Sequence, residues 1–131
     1  MKKLCIMAFL AGLCAIFGCS AKGFESVGAD EFAREIAKEG VQIVDVRTAS
    51  EYAEGHIPNA VNIDVYSPDF AEKIAKLDKE RTVAIYCRSG RRSKSAAEQA
   101  VKQGFKVVEL DGGAQTLQYA LWHAPPSVET A

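Results

Sequence analysis

Histidine and cysteine are scarce in this chain, two and four among 131 residues, and neither recurs at a metal-binding interval. No cluster of His, Asp and Glu has ligand spacing, so no metal centre is expected and nothing calls for a cofactor. An excess of charge is lacking too. With 16 basic and 17 acidic side chains the formal net charge is −1, and the broad basic face that grips nucleic acid is missing. There are no repeats and no low-complexity tracts, which excludes a solenoid or a disordered array. What is present is ordinary for one globular domain: 48% hydrophobic residues and 25% charged.

Charge is absent altogether from Leu4 to Ala21, a run of 18 residues behind the basic start Met1-Lys2-Lys3. A basic n-region followed by the apolar stretch Leu4 to Gly18 is the pattern of a secretory signal. A membrane anchor is the alternative, because 18 residues approach the roughly 20 that a span needs. The end of the run, Ile16-Phe17-Gly18-Cys19, resembles a bacterial lipobox, in which the cysteine becomes the lipidated first residue of the mature protein. Phe17 departs from the small residues usual at its place. The expected division is a lipoprotein-type signal peptide over 1–18, cleaved before Cys19, a linker over 19–23, a folded domain over 24–123 and a polar tail over 124–131. The resemblance implies export and lipid anchoring on the periplasmic face of a bacterial membrane. Ser20 is compatible with the outer membrane, and simple secretion is a further alternative.

Setting the export segment aside changes two counts. Without Lys2 and Lys3 the mature part has 14 basic against 17 acidic side chains, a net charge of −3. Without Cys5, Cys14 and Cys19 the domain has one thiol, Cys87, which excludes an internal disulfide and a multi-cysteine zinc site. A lone thiol in an oxidising compartment is a liability unless it has a use.

Strand and helix patterns alternate along the domain. Strands are expected over Phe24–Val27, Val41–Val46, Ala60–Ile63, Thr82–Tyr86 and Lys106–Leu110. Helices are expected over Asp30–Lys38, Phe70–Leu77, Ser93–Lys102 and Ala114–Trp122, with a helical turn at Ser50–Ala53. This alternation implies a parallel α/β sheet of about five strands covered on both faces, with the apolar Thr82–Tyr86 at its centre. Ligands of such sheets bind beyond the carboxyl ends of the strands, and Cys87 lies at such an end. The run Cys87-Arg88-Ser89-Gly90-Arg91-Arg92-Ser93 then combines a thiol, a glycine loop, a helix N-terminus and three arginines. Inward N–H groups and nearby cations favour a thiolate and make an anion site around it.

Three segments in order carry a family resemblance: Asp45-Val46-Arg47 with Glu51-Tyr52 and Gly55-His56-Ile57-Pro58-Asn59-Ala60, the Cys87 loop, and Leu110-Asp111-Gly112-Gly113. The chain resembles a single-domain rhodanese, a thiosulfate sulfurtransferase-like protein, over about residues 24 to 122. The resemblance implies a three-layer fold and a Cys87 persulfide that carries sulfane sulfur from thiosulfate or a related anionic donor to a thiol or cyanide. It further implies that a six-residue loop, Cys87 to Arg92, suits sulfur, whereas phosphatases of the same fold use a loop one residue longer. A non-catalytic sulfur carrier or binding module is the alternative; phosphatase-like or arsenate-reducing chemistry is disfavoured by the short loop.

Within this resemblance Arg88, Ser89, Gly90, Arg91 and Arg92 are expected to bind the donor, and Ser93 to cap the helix. Asp45 and Arg47 are expected to form a structural brace and His56 a structural hydrogen bond. Leu117 stands where many relatives have tryptophan, with Trp122 as a substitute plug. Small size and a closed α/β pattern suit a monomer.

Overall fold

A computed structural model describes residues 23–117. The expected signal, Cys19, most of the linker, Trp122 and the polar tail lie outside the described residues.

Among the described residues five short strands and four helices alternate: β1 (Glu25–Val27), α1 (Ala29–Ile36), β2 (Gln42–Asp45), α2 (Ala49–Glu54), β3 (Val61–Asn62), α3 (Phe70–Ala75), β4 (Val83–Tyr86), α4 (Arg91–Lys102) and β5 (Val107–Leu110). A 3₁₀ turn at Ala114–Thr116 follows. The strands form one sheet in the order β1-β5-β4-β2-β3, and every pairing is parallel. β4 is central and buried throughout, which is why its sequence is an unbroken apolar run.

Successive residues of a strand point to opposite faces, and the core divides on that period. Val83 and Ile85 of β4 pack with Phe70 and Ile74 of α3 and with Ala96, Ala97 and Ala100 of α4. Ala84 and Tyr86 pack on the other face with Phe32 of α1, Ile57 and Val108. The small alanines of α4 let that helix lie close to the sheet.

The strands are a residue or two shorter than their sequence patterns, although flanking residues still bond across the sheet, as Thr82 O accepting from Gln42 N and Lys106 O accepting from Val83 N show. Two differences are larger. The last helix is not continuous from Ala114: the 3₁₀ turn ends at Leu117, whose backbone is extended (φ −80°, ψ 154°). The α4 helix begins at Arg91, two residues before Ser93.

Candidate active site

β4 delivers Cys87 to the middle of the sheet's carboxyl edge, where the residue is 0% exposed. The chain turns through exposed Arg88 and Ser89 and buried Gly90 before entering α4. Gly90 has φ +99°, a left-handed conformation that L side chains resist. This turn aims two backbone N–H groups at one sulfur: Gly90 N donates to Cys87 Sγ over 3.1 Å and Ser93 N over 3.2 Å. Two N–H dipoles converging at a helix entrance hold negative charge at the atom they face.

The double glycine after β5 braces this loop from the other side. Gly113 has φ +73°, and a Cβ on it would lie 2.2 Å from Arg88 O. A Cβ on Gly90 would lie 3.0 Å from Gly112 N. Ala114 N donates to Cys87 O over 2.8 Å, and Gln115 N to Arg88 O over 3.2 Å. The turn glycines of the sequence pattern are thus the support on which the cysteine loop rests.

The three arginines have different surroundings. Arg88 and Arg91 are exposed at the loop's rim. Arg92, expected to meet the donor, has both terminal nitrogens on Glu51 of α2, Nη1 to Oε1 at 2.8 Å and Nη2 to Oε2 at 3.1 Å. Those bonds, helped by the Thr48 N–H and hydroxyl, hold the Glu51 carboxyl down at about 2. The same carboxylate raises the Arg92 guanidinium above its ordinary value. Glu51 is itself fixed by a capping box in which Thr48 accepts from Glu51 N and Glu51 accepts from Thr48 N. Arg92 is therefore a strut between α4 and α2.

Ser93 does not cap α4. It sits inside the first turn, Gly90 takes the N-cap place without a side-chain bond, and the Ser93 hydroxyl donates to Glu109. The turn is set by the left-handed glycine, so the helix needs no hydroxyl at its start.

Asp45 and Arg47 are both buried and face each other, Nε to Oδ1 at 2.9 Å and Nη2 to Oδ2 at 2.6 Å. Arg47 also donates to Gly55 O over 2.7 Å, joining β2 to the end of α2. Burial works against the Arg47 charge, but Asp45 more than offsets it and the guanidinium titrates above its ordinary value. The Tyr86 hydroxyl donates to Asp45 Oδ2 over 2.7 Å and is pushed well up by burial and by the Asp45 charge. His56 Nδ1 is 2.9 Å from Tyr52 O, with the two rings stacked 3.6 Å apart.

Sequence reasoning missed three participants. Glu51 was legible only as part of a motif, and Gly113 only as a turn. Glu109 carried a signal that was available: a single acid within the apolar strand Val107-Val108-Glu109-Leu110, and it is fully buried.

The family described as the rhodanese-like domain matches residues 28–120. Among curated proteins, a thiosulfate sulfurtransferase GlpE of Pseudomonas savastanoi is 38% identical over 101 residues, covering 76% of this chain and 89% of that protein. A sulfurtransferase of Allochromatium vinosum is 40% identical over 76 residues, 57% of this chain and 69% of that protein. Among solved structures, a rhodanese-like domain protein from Staphylococcus aureus superposes with a TM-score of 0.63 at 32% identity, covering 71% of this chain and 90% of that one.

Proposed function

The chain belongs to the rhodanese-like domain family, and on that footing we propose that it is a sulfurtransferase in which Cys87 carries the sulfur as a persulfide. The observation that carries this reading is the pair of N–H groups aimed at Cys87 Sγ. Cys87 thiolate attacks the outer, sulfane sulfur of thiosulfate or a similar donor. A new S–S bond forms, the donor's S–S bond breaks, and its electron pair leaves on sulfite. The persulfide's terminal sulfur carries the negative charge at the N-terminal end of α4. A thiolate or cyanide then attacks that outer sulfur, and the electron pair of the breaking bond returns to Cys87.

Arg88 and Arg91, exposed at the rim, raise the local concentration of an anionic donor. Arg92 acts through Glu51 by keeping the helix entrance in place. Asp45 and Arg47 brace the adjoining strand end. The six-residue loop is matched to a single sulfur atom, which needs less room than a tetrahedral phosphate. We further propose that the domain is exported and tethered by lipid on Cys19, on the strength of the N-terminal charge pattern and the lipobox-like end.

The test follows thiocyanate from thiosulfate and cyanide, with an intact mass taken after thiosulfate alone. Wild type is expected to turn over and to gain one sulfur atom, and Cys87→Ser to do neither. A wild type that neither turns over nor gains sulfur overturns the proposal in favour of a binding module.

A further inference from the structure

We infer that Glu109 is a positioning residue for the sulfur site, acting on Cys87 through Ser93 and Lys94; the inference rests on the reading of Cys87 as the sulfur carrier. Glu109 lies in β5 and is 0% exposed, flanked along the strand by buried Val107, Val108 and Leu110. Burying a carboxylate in such a strand is costly unless donors surround it, and an apolar side chain would fill the place at less cost. Donors do surround it. Ser26 Oγ of β1 donates to Oε1 over 2.6 Å, the Ser93 hydroxyl donates to Oε2, and Lys94 Nζ lies 3.4 Å from the carboxylate.

The arrangement on the α4 side is what gives the carboxylate a role beyond packing. Ser93 and Gly90 are the two residues whose N–H groups hold Cys87 Sγ. Glu109 grips the first directly by its hydroxyl. It reaches the second through Lys94, whose ammonium also contacts Gly90 O at 3.5 Å and Asp111 Oδ1 at 2.9 Å. A single buried carboxylate therefore sets the orientation of the first turn of α4 against β5. It also accepts the hydroxyl hydrogen bond of the same residue whose backbone N–H faces Sγ.

The experiment compares Glu109→Gln, Ser93→Ala, the double variant and Ser26→Ala in the full chain. It measures the rate of sulfur transfer from thiosulfate to Cys87 by quenched intact mass, the thiosulfate KM, and the unfolding midpoint. Glu109→Gln is expected to slow transfer about tenfold, the worth of one charge-assisted hydrogen bond orienting the first turn of α4. KM should stay near the wild-type value, because the exposed arginines are untouched. The double variant should be no slower than the slower single variant, since both changes break one linkage. Ser26→Ala removes a bond from the far side of the same carboxylate and should lower the unfolding midpoint without changing the transfer rate.

A wild-type rate in Glu109→Gln overturns the inference. So does a loss that adds to that of Ser93→Ala, or an equal loss in Ser26→Ala, each of which reduces Glu109 to a packing residue. If Glu109→Gln does not fold, Ser93→Ala against Ser26→Ala decides: slowing in the first alone supports the inference, and equal rates overturn it. If wild type itself takes up no sulfur, the sulfurtransferase reading falls separately. The positioning role is then read from the rate at which iodoacetamide alkylates Cys87, located by peptide mass. A common shift in Glu109→Gln and Ser93→Ala, absent from Ser26→Ala, supports it, and unchanged rates in all three overturn it.

Discussion

Both terminal nitrogens of Arg92 sit on Glu51, so this residue holds the loop's position while Arg88 and Arg91 face solvent. The difference is measurable. Arg88→Ala is expected to raise the thiosulfate KM about two- to fivefold at low ionic strength and to leave the unfolding midpoint unchanged, an effect that salt erases. An unchanged KM at low salt would remove Arg88 from donor binding. The Arg92 partner has a pH signature. Its carboxyl titrates at about 2 in the folded chain against an ordinary 4.5. A carboxyl held lower in the folded than in the unfolded chain adds stability above its ordinary value, and that stability is lost as pH falls toward the folded value. Urea unfolding midpoints of the wild type should therefore drop from about pH 5 toward pH 2 more steeply than those of Glu51→Gln. Parallel curves would mean that the ion pair contributes nothing.

The cysteine loop, the entrance of α4 and the turn after β5 behave as one element. Gly113 shows why, since a methyl group there would meet Arg88 O at 2.2 Å and Ser89 N at 2.5 Å, backbone atoms that cannot swing aside. Its φ of +73° adds left-handed strain for any L residue. Gly113→Ala is expected to cost at least about 2 kcal/mol and to abolish sulfur uptake by displacing the loop. Gly40→Ala is the control: it has φ +86° but no atom closer than 3.8 Å, so only the backbone cost of about 1 kcal/mol applies, with transfer unaffected. Denaturant unfolding with the sulfur-uptake assay separates the two. Equal effects would show that the close approach to Arg88 does not matter.

At the scale of the whole molecule, the parallel sheet puts Cys87 at its central carboxyl edge and the described N-terminus at edge strand β1. The proposed lipid anchor is tested here: Cys19→Ala should move the protein from the membrane to the soluble fraction of a bacterial host, and unchanged partitioning would end that proposal. Much of this fold can be read along the chain, because period-2 and period-3.6 patterns arise from neighbours a few residues apart. The all-apolar β4, the alanine face of α4 and the placing of Cys87 at a strand end all follow from such short-range order. The loop's six-residue length is equally local. What surrounds the sulfur is decided differently. Arg92 meets Glu51 across 41 residues and Ser93 meets Glu109 across 16, while Gly113 closes on Arg88 from the turn after β5. No local period encodes those meetings, since they exist only once the parallel strands have brought the ends of β2, β4 and β5 to one edge. Tertiary structure for that reason set Arg92 on the Glu51 carboxylate, placed Ser93 inside the first turn of α4 and surrounded the buried Glu109 with donors.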